Sequence, residues 1–492
     1  MAMAGVDEAG TFDALQQKLV AMWPAIGGPT EEHKTMVVVP SVSMEFPPEL
    51  GPVIPAYEER YLFLLLLLAQ PRAVVIYVSA QPIPPRIVDY FLSLLPSPHA
   101  ANARDRLHLL SIGDPSPRPL TTKILERPRT IERIRTLIAD PERAHIVPFM
   151  TSELEEQLAV RLGIPVYGTD PRLLIHGTKT GSRRLFAEAG VAHPRGFEDL
   201  HSSDEVIAAA RDLARATPPV THAVLKLNVG VGGYGNALVD VGATAAGEIT
   251  ASLANADVQG LPATYLDALA LDGGVLEELL VGEDLRSPSV QLRIAPGGEV
   301  ELLSTHDQIL GGPTGQEYYG ARFPADSGYA KELGEAGLQV GRLLSREGVL
   351  GRFAIDFVVT RRNAAWDISA IEINLRKGGT THPFLTLQLL TGGHYDAATA
   401  EFRCRTGSKH YVATDHLTDE RLARLTADDL LDLVAIDDLA WDEAQQNGVV
   451  FHMISALPVA GRVGFTAIGD SAEHAQELHD GATARLLELA AT

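Results

Sequence analysis

Glu372, Asn374 and Arg376 alternate with Ile371, Ile373 and Leu375. A strand has a side-chain period of two, so the acid, the amide and the guanidinium share one face. Asp356 sits in a second strand-like run, Gly351 to Val359. Carboxylate and amide oxygens are hard ligands, suited to Mg²⁺ held together with phosphates. An arginine on the same face could neutralise charge on a transferring phosphoryl group or a tetrahedral intermediate. The competing reading is an amphipathic strand with a solvated polar face. It accounts for the alternation, but not for the Gly378-Gly379-Thr380-Thr381-His382 run that follows at once.

Two further segments could carry chemistry. Lys226 precedes a G-x-G-x-x-G pattern at Gly230, Gly232 and Gly235, with Gly233 and Tyr234 between them. A dinucleotide fingerprint needs a helix to begin at those glycines. Here Asn236 to Val241 reads as a strand, so the motif is a β-turn-β loop whose amides could lie over phosphates. A plain hairpin with a glycine-rich tip fits equally well. The second segment is Glu277-Glu278-Leu279-Leu280-Val281-Gly282-Glu283-Asp284. Its backbone could read an adenine edge, and a carboxylate could accept ribose hydroxyls. An ordinary acidic turn competes with that. His306 and Gln308 could line a pocket or close a strand end.

The positioning elements divide the chain in three. Residues 1–170 alternate strands (35–39, 73–78, 106–112, 145–149) with helices, which predicts an open α/β domain. No glycine fingerprint follows its first strand, so that domain is read as not itself a nucleotide site. Leu62 to Ala69 is expected as a buried helix end. Thr151-Ser152-Glu153 should cap a helix running to about Leu162. Residues 171–404 carry an α+β pattern, with helices near 178–190, 203–216 and 328–347 and a lid at about 200–280. Residues 405–492 should hold an acidic helix (418–434), strands at 449–456 and 462–468, and a closing helix from 471 to 490. Three places are open to this tail: within the central domain, over an acceptor site, or in a homodimer.

Bulk properties exclude several classes. The 492 residues are 46% hydrophobic and 21% charged, as in a soluble globular enzyme. A formal charge of −22 argues against nucleic acid as a partner. The single cysteine, Cys404, forbids an internal disulfide and favours a reducing compartment, hence a cytoplasmic reading. No signal-like start or membrane-spanning stretch is read; the apolar run from Tyr61 is broken at Gln70-Pro71-Arg72. Only 8 of the 41 basic residues are lysines, which draws attention to Lys179, Lys226 and Lys377.

In order and spacing these features resemble the ATP-grasp superfamily. Lys179 in Gly177-Thr178-Lys179, Lys226 before the glycine loop, Glu277 to Gly282, and Glu372 with Asn374 carry the likeness over residues 171–400. The stretches 147–153, 162–171, 177–182 and 372–383 are similar to peptide ligases of the pheganomycin biosynthetic type, which carry a pre-ATP-grasp domain. The resemblance implies a Rossmann-like pre-ATP-grasp domain followed by an ATP-grasp fold, with two α+β subdomains sandwiching ATP. It implies that Lys179, Lys226, Gly230, Gly232, Gly233, Tyr234, Gly235, Glu277, Glu278, Leu279 and Asp284 contact ATP, with Glu283 an alternative to Asp284. Asp356, Glu372 and Asn374 would hold Mg²⁺, or Mn²⁺ in its place, and Arg376 would act in catalysis. Gly379, Thr380, Thr381, His382, Gln308 and Arg352 would line the substrate pocket. The implied reaction joins a small carboxylic acid to an amino acid or peptide amine through an acyl phosphate, in peptide natural-product biosynthesis. An ATP-grasp carboxylase or a non-catalytic ATP-binding protein are the alternatives.

Overall fold

The computed structural model describes residues 8–28, 30–43, 51, 53–96, 100, 102–230, 235–241, 265–312, 315, 317–363, 365–436 and 439–491. Gly232, Gly233 and Tyr234 lie outside them.

The N-terminal part is a parallel four-stranded sheet. Its strands are β1 (Lys34–Val39), β2 (Ala73–Ser79), β3 (Leu107–Ser111) and β4 (Ala144–Pro148), in the order β3-β2-β1-β4. β1 is buried along its whole length, as its unbroken apolar run requires. Met36 and Val38 face one core while Val37 and Val39 face another. The helix Glu153–Leu162 starts at a capping box: Ser152 accepts from the chain, and Glu155 returns a bond to the Ser152 amide. Leu62 to Ala69, expected as a buried helix end, belongs to a ten-residue 3₁₀ helix, Arg60–Ala69. Almost all of it is buried, so tertiary packing overrides the usual brevity of that form.

The middle of the chain builds two antiparallel sheets. A four-stranded one orders β5 (Gly196–Leu200), β8 (Gly274–Glu278), β6 (His222–Leu227) and β7 (Asn236–Asp240) as β5-β8-β6-β7. β6 and β7 form the hairpin that the glycine segment suggested. The helix Ser203–Arg215 covers the sheet through Val206, Ala210 and Leu213.

A nine-stranded antiparallel sheet is the centre of the molecule. It comprises β9 (Glu283–Arg286), β10 (Pro288–Ile294), β11 (Val300–Gly311), β12 (Glu317–Phe323), β13 (Gly351–Arg362), β14 (Ala365–Asn374), β18 (His410–Thr418), β19 (Gly448–His452) and β20 (Arg462–Gly469). The order is β14-β13-β10-β11-β12-β18-β20-β19, with β9 on β13. Strands from the tail therefore continue the same sheet that holds β13 and β14. The three short strands β15 (His394–Asp396), β16 (Glu401–Cys404) and β17 (Gly407–Ser408) form a separate meander.

Local differences from the sequence reading have local causes. The acidic 418–434 stretch is not one helix: β18 runs to Thr418, a 3₁₀ turn follows at Glu420–Arg424, and the helix is Ala427–Ile436. The 449–456 strand stops at His452, because Met453 adopts φ +55° and turns the chain into a 3₁₀ turn. One apolar core joins Val38, Val75 and Tyr77 to Leu430, Val449 and Phe465 through the 60–69 segment. No helix among the described residues is long and apolar enough to cross a membrane.

Candidate functional site

β13 and β14 pair so that Asp356 stands directly opposite Glu372. Asn374 Nδ2 donates to Asp356 Oδ2 at 2.9 Å, and Gln308 Nε2, from β11, donates to Asp356 Oδ1 at 2.7 Å. Lys179 Nζ lies 2.5 Å from Glu372 Oε1. The Lys179 helix, β11 and the β13–β14 pair, three regions far apart in sequence, thus converge on two facing carboxylates. Burial first, then the Glu372 charge, push the Asp356 carboxyl up to about 6.

Lys179 is the first residue of the helix Lys179–Ala189, whose start Thr178 caps by accepting from the Gly181 amide. Ser182 Oγ accepts from the Ile373 amide, tying this helix to β14 beside Glu372. The Thr180 amide donates to Asn228 Oδ1 at 2.9 Å, and Asn228 Nδ2 donates to Asp272 O. The helix start, the entry to the glycine loop and the approach to β8 are therefore latched together. Gly235 closes the described end of the loop at φ +82°, a conformation that glycine supplies without strain.

Lys226 Nζ meets Glu277 Oε2 at 2.8 Å across β6 and β8, and Arg183 Nη1 lies 3.4 Å from Glu277 Oε1. Glu277 is buried. Glu278 turns the other way and is gripped by Arg195 through Nε, Nη2 and the backbone amide. The Leu279 amide donates to His222 O. Asp284 has φ +51° and faces Arg286 with both carboxylate oxygens. The neighbouring Glu283 pairs in register with Arg361.

The residues after β14 fold inward. Thr380 Oγ1 accepts from Gln291 Nε2, and Thr381 Oγ1 accepts from the Gly378 amide. Both threonines are buried. A Cβ on Gly379 would collide with the Tyr318 ring. His382 is buried too; its Nε2 lies 3.1 Å from His452 Nε2 and 3.3 Å from Asp415 Oδ1. His306 pairs with the Tyr411 hydroxyl inside an aromatic cluster, so it is a packing residue.

Sequence reasoning missed Asp415, His452 and Arg60. Arg60 Nη1 donates to Asp415 Oδ2 at 2.6 Å, and Arg462 Nε donates to Asp415 O. The three groups His382, Asp415 and His452 are close enough to hold an ion. One guanidinium already pairs with the carboxylate and a second binds the main-chain carbonyl of the same residue, so a further divalent cation would meet net positive charge. The cluster is a polar clamp between the helix Thr381–Thr391, β18 and β19. Nothing in sequence could have joined positions 60, 382, 415 and 452.

A helix-borne lysine, a second lysine before a glycine hairpin, and a late Glu-x-Asn strand facing an Asp define the nucleotide-dependent ligase class that the sequence suggested. Family models match accordingly: a Pre ATP-grasp domain over residues 64–164, an IQCH-like ATP-grasp over 173–257 and 251–398, and a PGM1 C-terminal domain over 429–482. The chain is 31% identical over 427 residues to L-propargylglycine–L-glutamate ligase of Streptantibioticus cattleyicolor, covering 85% of this chain and 86% of that one. It is 25% identical over 447 residues to IQ motif-containing protein H of Danio rerio, covering 79% of this chain and 42% of that protein. Among solved structures, the ADP complex of N5-carboxyaminoimidazole ribonucleotide synthetase aligns with TM-score 0.53 at 10% identity, over 93% of this chain and 98% of that one. The enzyme of the same name from Thermus thermophilus gives 0.51 at 13%, over 92% and 98%. At such identities these two likenesses speak for the fold. The chain belongs to the ATP-grasp ligases that carry a pre-ATP-grasp domain.

Proposed function

We propose that this enzyme couples a small carboxylic acid to an amino acid or peptide amine, forming an amide and converting ATP to ADP and phosphate. The observation that carries the proposal is the facing pair Asp356 and Glu372, flanked by Lys179, Asn374 and Gln308 and followed by Arg376. Two facing carboxylates, one pushed up by burial and then by the charge of the other, form a site short of positive charge. Together with the Asn374 oxygen they fit a hard divalent cation. Mg²⁺ bound there, or Mn²⁺ in its place, would neutralise phosphate charge.

The protein groups do the rest. Lys179 and Lys226 would hold phosphates beneath the glycine loop, whose members Gly230 and Gly235 flank the segment outside the described residues. Glu277 and the 278–279 backbone would meet adenine. Because Asp284 is committed to Arg286, Glu283 competes with it for the ribose. A substrate carboxylate oxygen attacks the γ-phosphorus and ADP leaves. The amine nitrogen then attacks the acyl carbon, loses a proton, and phosphate leaves. Arg376 would stabilise the oxyanion that forms in between, a role whose removal costs about 10²–10³-fold in rate. The relative's substrates, L-propargylglycine and L-glutamate, are the first pair to try. The proposed setting is the cytoplasm, and a homodimer is a matter for size measurement.

The test is ADP release that requires both acid and amine. Arg376→Ala and Glu372→Ala should abolish it while circular dichroism stays unchanged. Full turnover in both variants would overturn the reading.

A further inference from the structure

Behind Arg376 lies a cleft that gathers positive charge without an acid. Its walls are Pro148 to Thr151 after β4, Tyr167 to Thr169, Arg352 on β13, and Leu375 to Lys377. Gly351 brings the walls together: at φ +102°, its Cβ position lies 3.0 Å from the Gly168 Cα, so only glycine lets these two chains touch.

Two polar atoms on the cleft walls go unmatched among the described residues. Tyr167 is 8% exposed, and its buried hydroxyl has no hydrogen-bond partner among the described residues. Arg352 Nη1 is sealed from solvent and likewise unpartnered. Lys377, 7% exposed, donates Nζ to Pro148 O at 2.5 Å, a carbonyl that cannot balance its charge. Arg293 stands across the β10–β13 pair from Arg352, outside the cleft walls. The acid whose field reaches Arg352, Glu301, is itself taken by Arg293 at 2.9 Å. Burial, then Arg352, press the Lys377 ammonium down to about 7; burial, then Arg293, lower Arg352 to about 10. Buried donors left in this state cost free energy that an anion would return.

We propose that the cleft binds a carboxylate of the acid substrate other than the one being activated, so that the acid is a dicarboxylate or an amino dicarboxylate. This rests on the ligase reading. The cleft as it stands has room for about one water-sized group, so one carboxylate oxygen fills it and the second stays at its mouth. The donors on its walls suit that oxygen: Arg352 Nη1, the Tyr167 hydroxyl and the Lys377 ammonium. Its position matches as well, because Arg376 lines the cleft and also acts electrostatically on Asp356. A substrate anchored by one acid end would therefore present the other toward the phosphoryl site. The Asp356–Glu372 side repels carboxylates until a cation is present, so the two ends of the substrate are not interchangeable.

The test uses the full-length enzyme saturated with Mg·ADP, with glutarate, butyrate and glutaramide titrated by calorimetry. Glutarate should bind at least tenfold more tightly than butyrate or glutaramide. Arg352→Met should erase that preference. Tyr167→Phe, which removes a hydroxyl that makes no internal bond and so leaves the fold intact, should weaken glutarate about threefold. Neither variant should alter Mg·ADP affinity. Equal binding of glutarate and butyrate, or a preference that survives Arg352→Met, would overturn the proposal. The Mg·ADP titration reads the ligase assignment separately: if it shows no binding, that assignment fails, while glutarate titrated without nucleotide still decides the cleft.

Discussion

Asp356 and Glu372 face each other because β13 and β14 leave them no other register. Two carboxylates at this separation repel, and Lys179 relieves only the Glu372 side. Burial, then this repulsion, push Asp356 toward protonation, and a cation bound there would favour the ionised form. Asp356→Asn should separate stability from chemistry. The amide keeps the shape, and Asn374 can reverse its own amide to preserve the bond between them. Without metal at pH 8 the variant should melt no lower than wild type, since a like-charge contact is gone, while Mg²⁺-dependent ADP formation should fall by at least 10²-fold. A variant that is both less stable and fully active would reverse this account. Such residues were legible in sequence because a strand must alternate: Ile373 and Leu375 are buried, so the polar partners had to share the other face. His382 was visible only as the histidine of the run that follows β14, and it lies inside the clamp with Asp415 and His452.

At the scale of elements, what matters is how helix, hairpin and strand are latched. Asn228 bonds both the start of the Lys179 helix and the chain before β8, so one side chain fixes two edges of the expected phosphate site. Asn228→Ala should cost about 1–2 kcal/mol, one or two ordinary hydrogen bonds. It should also raise the KM for ATP several-fold with little change in kcat; a pure kcat effect would contradict the latch. The other informative element is Ile54–Glu59, which sends Glu59 into the tail. Its carboxylate accepts from the Ile454 and Ser455 amides and the Ser455 hydroxyl. Burial nevertheless pushes the carboxyl up to about 7. A raised acid adds most stability below its unfolded pKa of about 4.3 and loses that contribution as pH rises through 7. Compared with Glu59→Gln, wild type should therefore lose on the order of 3 kcal/mol between pH 5 and pH 8. Parallel melting profiles of the two proteins would show that Glu59 is not the titrating group. Periodicity placed the β1–β4 strands and the main helices within a residue or two. It could not foresee the 3₁₀ form of 60–69, since an all-apolar run carries no period to read.

The molecule as a whole is held by contacts between its two ends. β18, β19 and β20 extend the central sheet, and their outer face shares a core with β1 and β2. Within that seam, Arg60 and Asp415 form a buried pair separated by 355 positions. Burial alone would raise the Asp415 carboxyl, but His382 and the Arg60 guanidinium hold it well below the usual range. Its contribution is therefore complete at neutral pH and is lost as pH falls below about 4. Removing one partner leaves the other charged and dry, so Asp415→Ala should cost about 3–5 kcal/mol in urea unfolding at pH 7. Arg60→Met combined with Asp415→Leu removes both charges together. If the pair acts as a fastener between chain ends, and not as a source of net stability, the double variant should recover most of that loss. Losses that simply add would mean that each residue works through separate neighbours, Arg60 through the Tyr57 ring and Asp415 through its histidines. Coupled losses would mean that this bond fastens the two ends beside the Glu59 bonds to Ile454 and Ser455. They would also bring the clamp around His382, and with it the loop after Arg376, under the control of the first 60 residues.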